Sequence, residues 1–255
     1  MKFLRQVLSI TNMNLKNIME RSGSSIVIIV GIAGSVAVMV SLLAMAEGLN
    51  STISSTGKED RVIILREGAS SELGSGVAMS DVDIVANSPG IRSEDGKPLI
   101  SAEVFSIIDL KKKGAAATSN LPMRGVQPES FKIRPEIEII QGRNFNSGTS
   151  EVIVGRGAHD QYENVDIGDE IKVRDSMATV VGIFSSGGNV HESEIWADLA
   201  TTQGIFRRGA SASSMIIQLD DAKAFNDLGI YVESYPNLEF RAVSYTHLTL
   251  PTICS

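Results

Sequence analysis

Residues Ile26 to Ala46, IVIIVGIAGSVAVMVSLLAMA, form an uncharged and largely apolar run of 21 residues. At roughly 1.5 Å rise per residue such a helix is about 31 Å long, which matches a bilayer hydrocarbon core of about 30 Å. Backbone polar groups inside lipid must be satisfied within the segment, so the run is predicted to be a membrane-spanning helix. The Ala44-Met45-Ala46 triplet at its end offers a second reading, a cleavable signal peptide. A signal core is typically about 7–15 residues, and this run is longer. The expectation is a retained span over 26–46, preceded by a cytoplasmic segment over 1–25.

The flanking charges set the orientation. Lys2, Arg5, Lys16 and Arg21 precede the span against one acidic residue, Glu20, whereas the rest of the chain carries 19 basic and 29 acidic residues. Basic residues next to a span stay inside, which predicts a cytoplasmic N-terminus and an extracytoplasmic region from Glu47 onward. An acidic balance also argues against a nucleic-acid partner.

Leu4, Val7, Leu8, Met13, Leu15, Ile18 and Met19 approximate helical spacing, with polar residues between them. Two readings fit: an amphipathic helix lying in the membrane interface, or a continuation of the membrane helix. Within the span, Gly31, Gly34 and Ser35 present little volume. Gly31 and Ser35 form a small-xxx-small pair, the pattern that lets a second helix approach closely.

Residues 47–243 are enough for a sizeable core and include no second run of membrane length. The single cysteine, Cys254, lies at the chain end, so no disulfide framework is expected, as suits a bacterial periplasm. The Asn50-Ser51-Thr52 sequon would matter only on a eukaryotic secretory route.

Patterning predicts alternating elements. After a polar stalk (Gly48 to Asp60), Arg61–Arg66 reads as a strand and Gly68–Gly76 as a Gly/Ser-rich loop. A helix starting at Ser80-Asp81 ends before Pro89-Gly90, and Leu99–Leu110 is extended up to a charged turn at Lys111–Gly114. Further strands are expected at Ile137–Ile140, Glu151–Val154, Ile171–Val173 and Ala178–Phe184. A helix over Glu192–Phe206, a strand over Ser214–Leu219, a helix over Asp221–Ser234 and a strand over Leu238–Val243 complete the reading. The fold class is α+β: one N-terminal membrane helix, then a two-lobed extracytoplasmic domain in which two βαβ-like units bracket a β-rich insert at about 120–190.

Candidate chemistry is sparse. His191, Glu192 and Glu194, with Asp198 one turn on, could present metal ligands, but no H-E-x-x-H is present and acidic residues are favoured at a helix N-terminus. Gly155-Arg156-Gly157 follows a strand as a phosphate-binding turn would, yet position 160 is Asp160 where a third glycine is required. His159-Asp160 has no G-x-S-x-G elbow to serve. Lys111–Lys113 reads as a solvated loop tip, and no P-loop is present. Catalytic residues, cofactors and metal ligands are therefore expected to be none.

Several segments together resemble a known family. Asp60-Arg-Val-Ile-Ile-Leu-Arg-Glu-Gly-Ala-Ser-Ser-Glu72 is similar to the first strand and loop after the stalk of MacB-type (FtsX-like) ABC transporter permeases. Met123-Arg-Gly-Val126, Ile140-Gln-Gly-Arg143 and Glu151-Val-Ile-Val-Gly155 resemble that family's central β segment. Val180-Val-Gly-Ile-Phe184 and Ser193-Glu-Ile-Trp-Ala-Asp198 resemble the segments leading out of it. The resemblance implies a βαβ-containing porter lobe split by an inserted sabre lobe, in a bacterial inner membrane. It further implies a partner ABC ATPase on the cytoplasmic face, a second permease as dimer partner and a possible periplasmic adaptor. The function implied is relay of ATP-driven motion to the periplasm, for efflux, lipoprotein movement or signalling.

The family has three further membrane helices after this domain, and the likeness stops at Val243. Residues 244–255 are therefore expected to be a non-native tail on a truncated sequence. The alternative is a single-pass anchored binding or adaptor module.

Overall fold

A computed structural model describes residues 5–7, 9–13, 22–56, 60–221, 223–235 and 240–244. The chain divides into two compact units, Met1–Ser51 and Thr52–Ser255.

In the first unit, residues 5–7 and 9–13 are helical, with Val7 and Met13 exposed. The expected amphipathic positions Leu4, Leu8, Leu15, Ile18 and Met19 lie outside the described residues. Helix α1 (Ser22–Thr56) contains the apolar stretch Ile26–Gly48. Among the described residues it is the one helix long and apolar enough to cross a membrane, and its large apolar side chains from Ile26 to Met45 are exposed. The helix outruns the expected span because no proline or helix-ending motif follows Ala46. The stretch read as a polar stalk is thus helical to Thr56.

The second unit begins with β1 (Arg61–Arg66), a 3-10 turn at Glu72–Gly74, β2 (Val77–Ala78) and α2 (Met79–Val85). A small hairpin, β3 (Ser93–Glu94) and β4 (Lys97–Pro98), leads into the long β5 (Ile100–Lys111) and β6 (Thr118–Val126). Next come α3 (Glu129–Ile133), β7 (Glu138–Gly142), β8 (Glu151–Gly155) and α4 (Arg156–Gln161). Strands β9 (Glu170–Val173) and β10 (Ser176–Ser185) precede a 3-10 turn at Val190–Ser193, β11 (Ile195–Asp198) and α5 (Leu199–Ile205). The remainder is β12 (Ser211–Ala212), β13 (Ser214–Gln218), α6 (Ala224–Glu233) and β14 (Phe240–Ser244). The tail after Ser244 lies outside the described residues.

One sheet runs β14-β1-β13-β5-β6-β11-β8-β10-β7, with β9 added on β10. Strand β1 is antiparallel to β13 and β14, and β13 is antiparallel to β5. Hence β1 is parallel to β5, and β13 to β14. The β1-α2-β5 and β13-α6-β14 passages are therefore two interleaved split βαβ units, the ferredoxin-like order, with everything from β6 to β12 inserted between them. That is the bracketed architecture expected from the sequence.

Strand β5 belongs to both halves. Ile100 pairs with Ile217 and Glu103 with Ser214, whereas Val104 pairs with Gly125 and Lys111 with Thr118. In the first half, Val62, Ile64, Met215 and Ile217 pack under Leu228 and Val232 of α6, while Ile63, Leu65 and Ile216 meet Ile133 on the opposite face. Burial on both faces explains why β1 reads as a continuous apolar run. In the second half, Met123, Val152, Val154 and Ile195 pack with Ala158 and Tyr162, and Ile153, Phe184 and Trp196 form the other face.

The helix expected over Glu192–Phe206 is not formed as such. Ile195, Trp196 and Ala197 are buried on alternating faces of β11, which lies parallel to β6 and antiparallel to β8. A segment with sheet neighbours on both edges must be extended. Helix begins only where the Asp198 carboxylate accepts from the Thr201 amide at 3.1 Å. The nine-residue β6 and the short α3 and α4 are among the elements that the sequence pattern does not announce.

Candidate functional site

Where β5 changes partners, five charged side chains meet inside the sheet. Glu103 is the last residue of the β13 register and is 1% exposed. Arg124 lies on β6 opposite Phe105, Glu194 directly precedes β11, and Arg134 follows α3. Glu72 enters from the 3-10 turn after β1.

Arg124 is the hub. Its Nε donates to Glu194 Oε2 at 2.9 Å and its Nη2 to Glu194 Oε1 at 3.0 Å. Nη1 donates to Glu72 Oε1 at 2.8 Å and Glu103 Oε2 at 2.9 Å, and Nη2 also reaches Glu72 Oε2 at 3.1 Å. All five guanidinium N–H groups are thereby used, a geometry lysine cannot reproduce. Arg134 donates from Nη1 to Glu103 Oε1 at 2.5 Å and from Nη2 to Glu103 Oε2 at 3.0 Å. Its guanidinium also lies 5.4 Å from the Trp196 ring centroid. Ser130 and Ser214 donate to Glu103 and Glu72, and the Trp196 indole donates to Glu194 Oε2 at 2.7 Å.

Burial alone would raise the Glu103 pKa, but Arg134 and Arg124 overcome it and bring it down to about 2. Burial also opposes ionisation of Glu194, and Arg124 together with His191 outweighs it, holding that carboxyl well below the usual range. Burial lowers the pKa of His191, against the pull of Glu194, whose Oε2 lies 3.3 Å from His191 Nδ1. Carboxylates locked ionised and fully hydrogen-bonded cannot exchange protons near neutral pH, so the cluster is suited to holding strands together rather than to acid–base chemistry.

The residues singled out from sequence go elsewhere. Of the candidate metal ligands, His191 and Glu194 meet beside the hub, whereas Asp198 caps α5 and Glu192 turns away to accept from Ser185 Oγ, the Ser186 amide and the Gly188 amide at 2.6, 2.9 and 3.0 Å. Gly155 is required by packing, since a Cβ there would meet the Glu192 carbonyl oxygen at 2.3 Å. Lys111 pairs with Glu163 and Lys113 donates to the His159 carbonyl, while His159 Nε2 lies 2.8 Å from Asp166. On α1, Ser35 Oγ donates to the Gly31 carbonyl at 3.0 Å, and Cβ atoms built at Gly31 and Gly34 meet nothing within 4 Å.

Glu72, Glu103, Arg124 and Arg134 belong to no chemical motif in the sequence. The available signal was a lone charge inside an apolar strand, as in Ile100-Ser-Ala-Glu-Val104 and Met123-Arg-Gly-Val126.

The sequence matches the MacB-like periplasmic core domain family over residues 25–230. No curated protein matches the chain. Among solved structures, the fold is similar to the periplasmic region of MacB from Actinobacillus actinomycetemcomitans, with TM-score 0.55 and 15% identity over 78% of this chain and 94% of that one. It is also similar to the extracellular domain of the noncanonic ABC-type transporter YknZ from Gram-positive bacteria, with TM-score 0.53 and 11% identity over 72% of this chain and 99% of that one.

Proposed function

The chain belongs to the MacB-like periplasmic core domain family of ABC transporter permeases, and from that premise we propose that it relays ATP-driven motion across a membrane to an extracytoplasmic domain. Helix α1 is the membrane segment, with the N-terminus cytoplasmic and the second unit periplasmic, in a bacterial inner membrane. An ABC ATPase binds on the cytoplasmic side and a second permease completes the dimer, with Gly31, Gly34 and Ser35 as the close-approach face. A periplasmic adaptor is a further partner.

The observation that carries the reading is the reach of the family match. It begins at residue 25, at the head of the apolar stretch, and runs through β13 into α6. The domain is also built to pass displacement on. Strand β5 is common to both halves, and the hub fastens β5, β6 and the start of β11 to one another.

Two measurements test this reading. In a Cys254→Ser background, single cysteines introduced after residue 60 should react with a membrane-impermeant maleimide in intact spheroplasts, whereas one introduced at residue 5 should not. Sequencing the locus downstream should show three further apolar runs in frame and a neighbouring ATPase frame. A stop directly after Ser255 with no ATPase frame nearby would instead favour the anchored adaptor module.

A further inference from the structure

The segment from Glu67 to Gly76, which leaves β1, inserts one carboxylate, that of Glu72, into the hub. We propose that this segment is a releasable latch between β1 and the second half of the sheet, closed by Glu72 and able to open while the rest of the hub stays intact. Its use as a coupling device rests on the relay function above; its existence as a latch does not.

The first argument is charge balance. Glu72, Glu103 and Glu194 face Arg124 and Arg134, leaving one excess negative charge in a buried site. Burial favours the neutral form of His191 beside them. Removing Glu72 therefore leaves two carboxylates against two guanidinium groups. Removing Glu103 would instead mean pulling a strand residue out of the sheet, and removing Glu194 would strain the bond its carbonyl accepts from the Gly155 amide at 2.9 Å.

The second argument is hydrogen bonding. With Glu72 gone, Arg124 Nε and Nη2 still hold Glu194, and Nη1 still holds Glu103. Each guanidinium nitrogen keeps one acceptor, and the two freed N–H directions face the space that Glu72 vacates, where water can enter. A buried arginine left with a bare nitrogen would oppose opening; this one is not left so.

The third argument is placement. The Glu72 side chain is 13% exposed, against 1% for Glu103 and 6% for Glu194. Around it Gly68, Ser71, Leu73 and Gly74 are exposed. Other ties of the segment include Ser214 Oγ to Glu72 at 2.6 Å, the Ala69 amide to the Arg66 carbonyl at 3.0 Å, the Ser75 amide to the Glu72 carbonyl at 3.2 Å, the Arg66 amide to the buried Ser75 Oγ at 2.9 Å, and the packing of Ala69 against the core. Strand β1 follows α1 in the chain, so the closed latch joins the strand after the membrane helix directly to β6.

Hydrogen–deuterium exchange of the full chain in detergent tests the latch. Amides of residues 67–76 should exchange at least roughly tenfold faster than those of β6 and β11. Glu72→Gln should speed the latch amides by a further tenfold or so while leaving β6 and β11 unchanged. Ser214→Ala, a milder change that removes one tie to Glu72, should speed the latch alone by a few-fold. The proposal is overturned if the latch exchanges in step with β6 and β11, if either variant loosens all three together, or if neither variant alters the latch. Exchange is read without any ATPase partner, so the outcome is independent of whether the relay function holds.

Discussion

Arg124 on β6 and Glu194 at the entrance to the parallel β11 face each other as a two-bonded pair, and neither side chain is more than 6% exposed. Each is the other's main compensation for being buried. Arg124→Met should therefore lose about 3–5 kcal/mol of folding stability, because it leaves carboxylates buried without a countercharge. Arg124→Lys should recover little of that loss, since one ammonium cannot serve three carboxylates in this geometry. Trp196, the one tryptophan of the chain, is fully buried beside Glu194 and gives a fluorescence readout for denaturant titrations.

The hub also sets a pH profile. Glu103 has a folded pKa of about 2 against a free value of 4.5, so its contribution is complete above pH 4.5 and is lost as pH falls toward 2. His191 is depressed on folding from 6.5, so below that pH the unfolded chain binds the proton more readily and stability declines. Denaturation midpoints should drop from pH 7.5 to 5.5 and more steeply below 4.5. His191→Gln should flatten the upper decline and leave the lower one in place.

Two glycines distinguish a wall that can yield from one that cannot. A Cβ at Gly125 would sit 2.5 Å from Thr202 Cβ, whereas at Gly155 it would sit 2.3 Å from the Glu192 backbone oxygen. Gly125→Ala should cost about 1–3 kcal/mol, and Thr202→Gly in the same chain should restore much of it. Gly155→Ala should cost at least as much, with no side-chain substitution that relieves it. Thermal unfolding of the three variants checks the contrast.

Helix α1 carries a prediction of its own. Because the Ser35 hydroxyl is turned onto the Gly31 carbonyl, the Gly31–Ser35 face is flat and has its polar group satisfied. Gly31→Ile combined with Ser35→Ile should reduce cross-linked pairs in membranes roughly fivefold. A double isoleucine change at Val36 and Val40, on the opposite face of the helix, should not.

Much of the architecture was legible in the sequence because it depends on local pattern. Arg61–Arg66 reads as a fully buried strand from its unbroken apolar centre, and the β13-α6-β14 passage shows itself by alternation of period. Strand β11 was hidden for a physical reason. Four residues between two helical turns are too few to reveal alternation, and Glu192-Ser-Glu194 ahead of them mimics an acidic helix start. The hub was hidden by distance. Arg124 and Glu194 are 70 positions apart, and Ser214 and Glu72 are 142 apart, so no window along the chain contains either pair.

The interleaved order of the first half also dictates when it can form. The neighbours of β1 are β13 and β14, whose residues are made long after it, while the inserted strands from β6 to β11 find their partners among themselves and β5. During synthesis the inserted half can close first, but β1 must wait with both edges bare until residues 214–244 have emerged. Closing so long a loop late makes folding of this half slow, and a bare apolar strand just after a membrane helix is an aggregation hazard. Translation rate and chaperone access should therefore weigh more heavily on the yield of this protein than its final stability does.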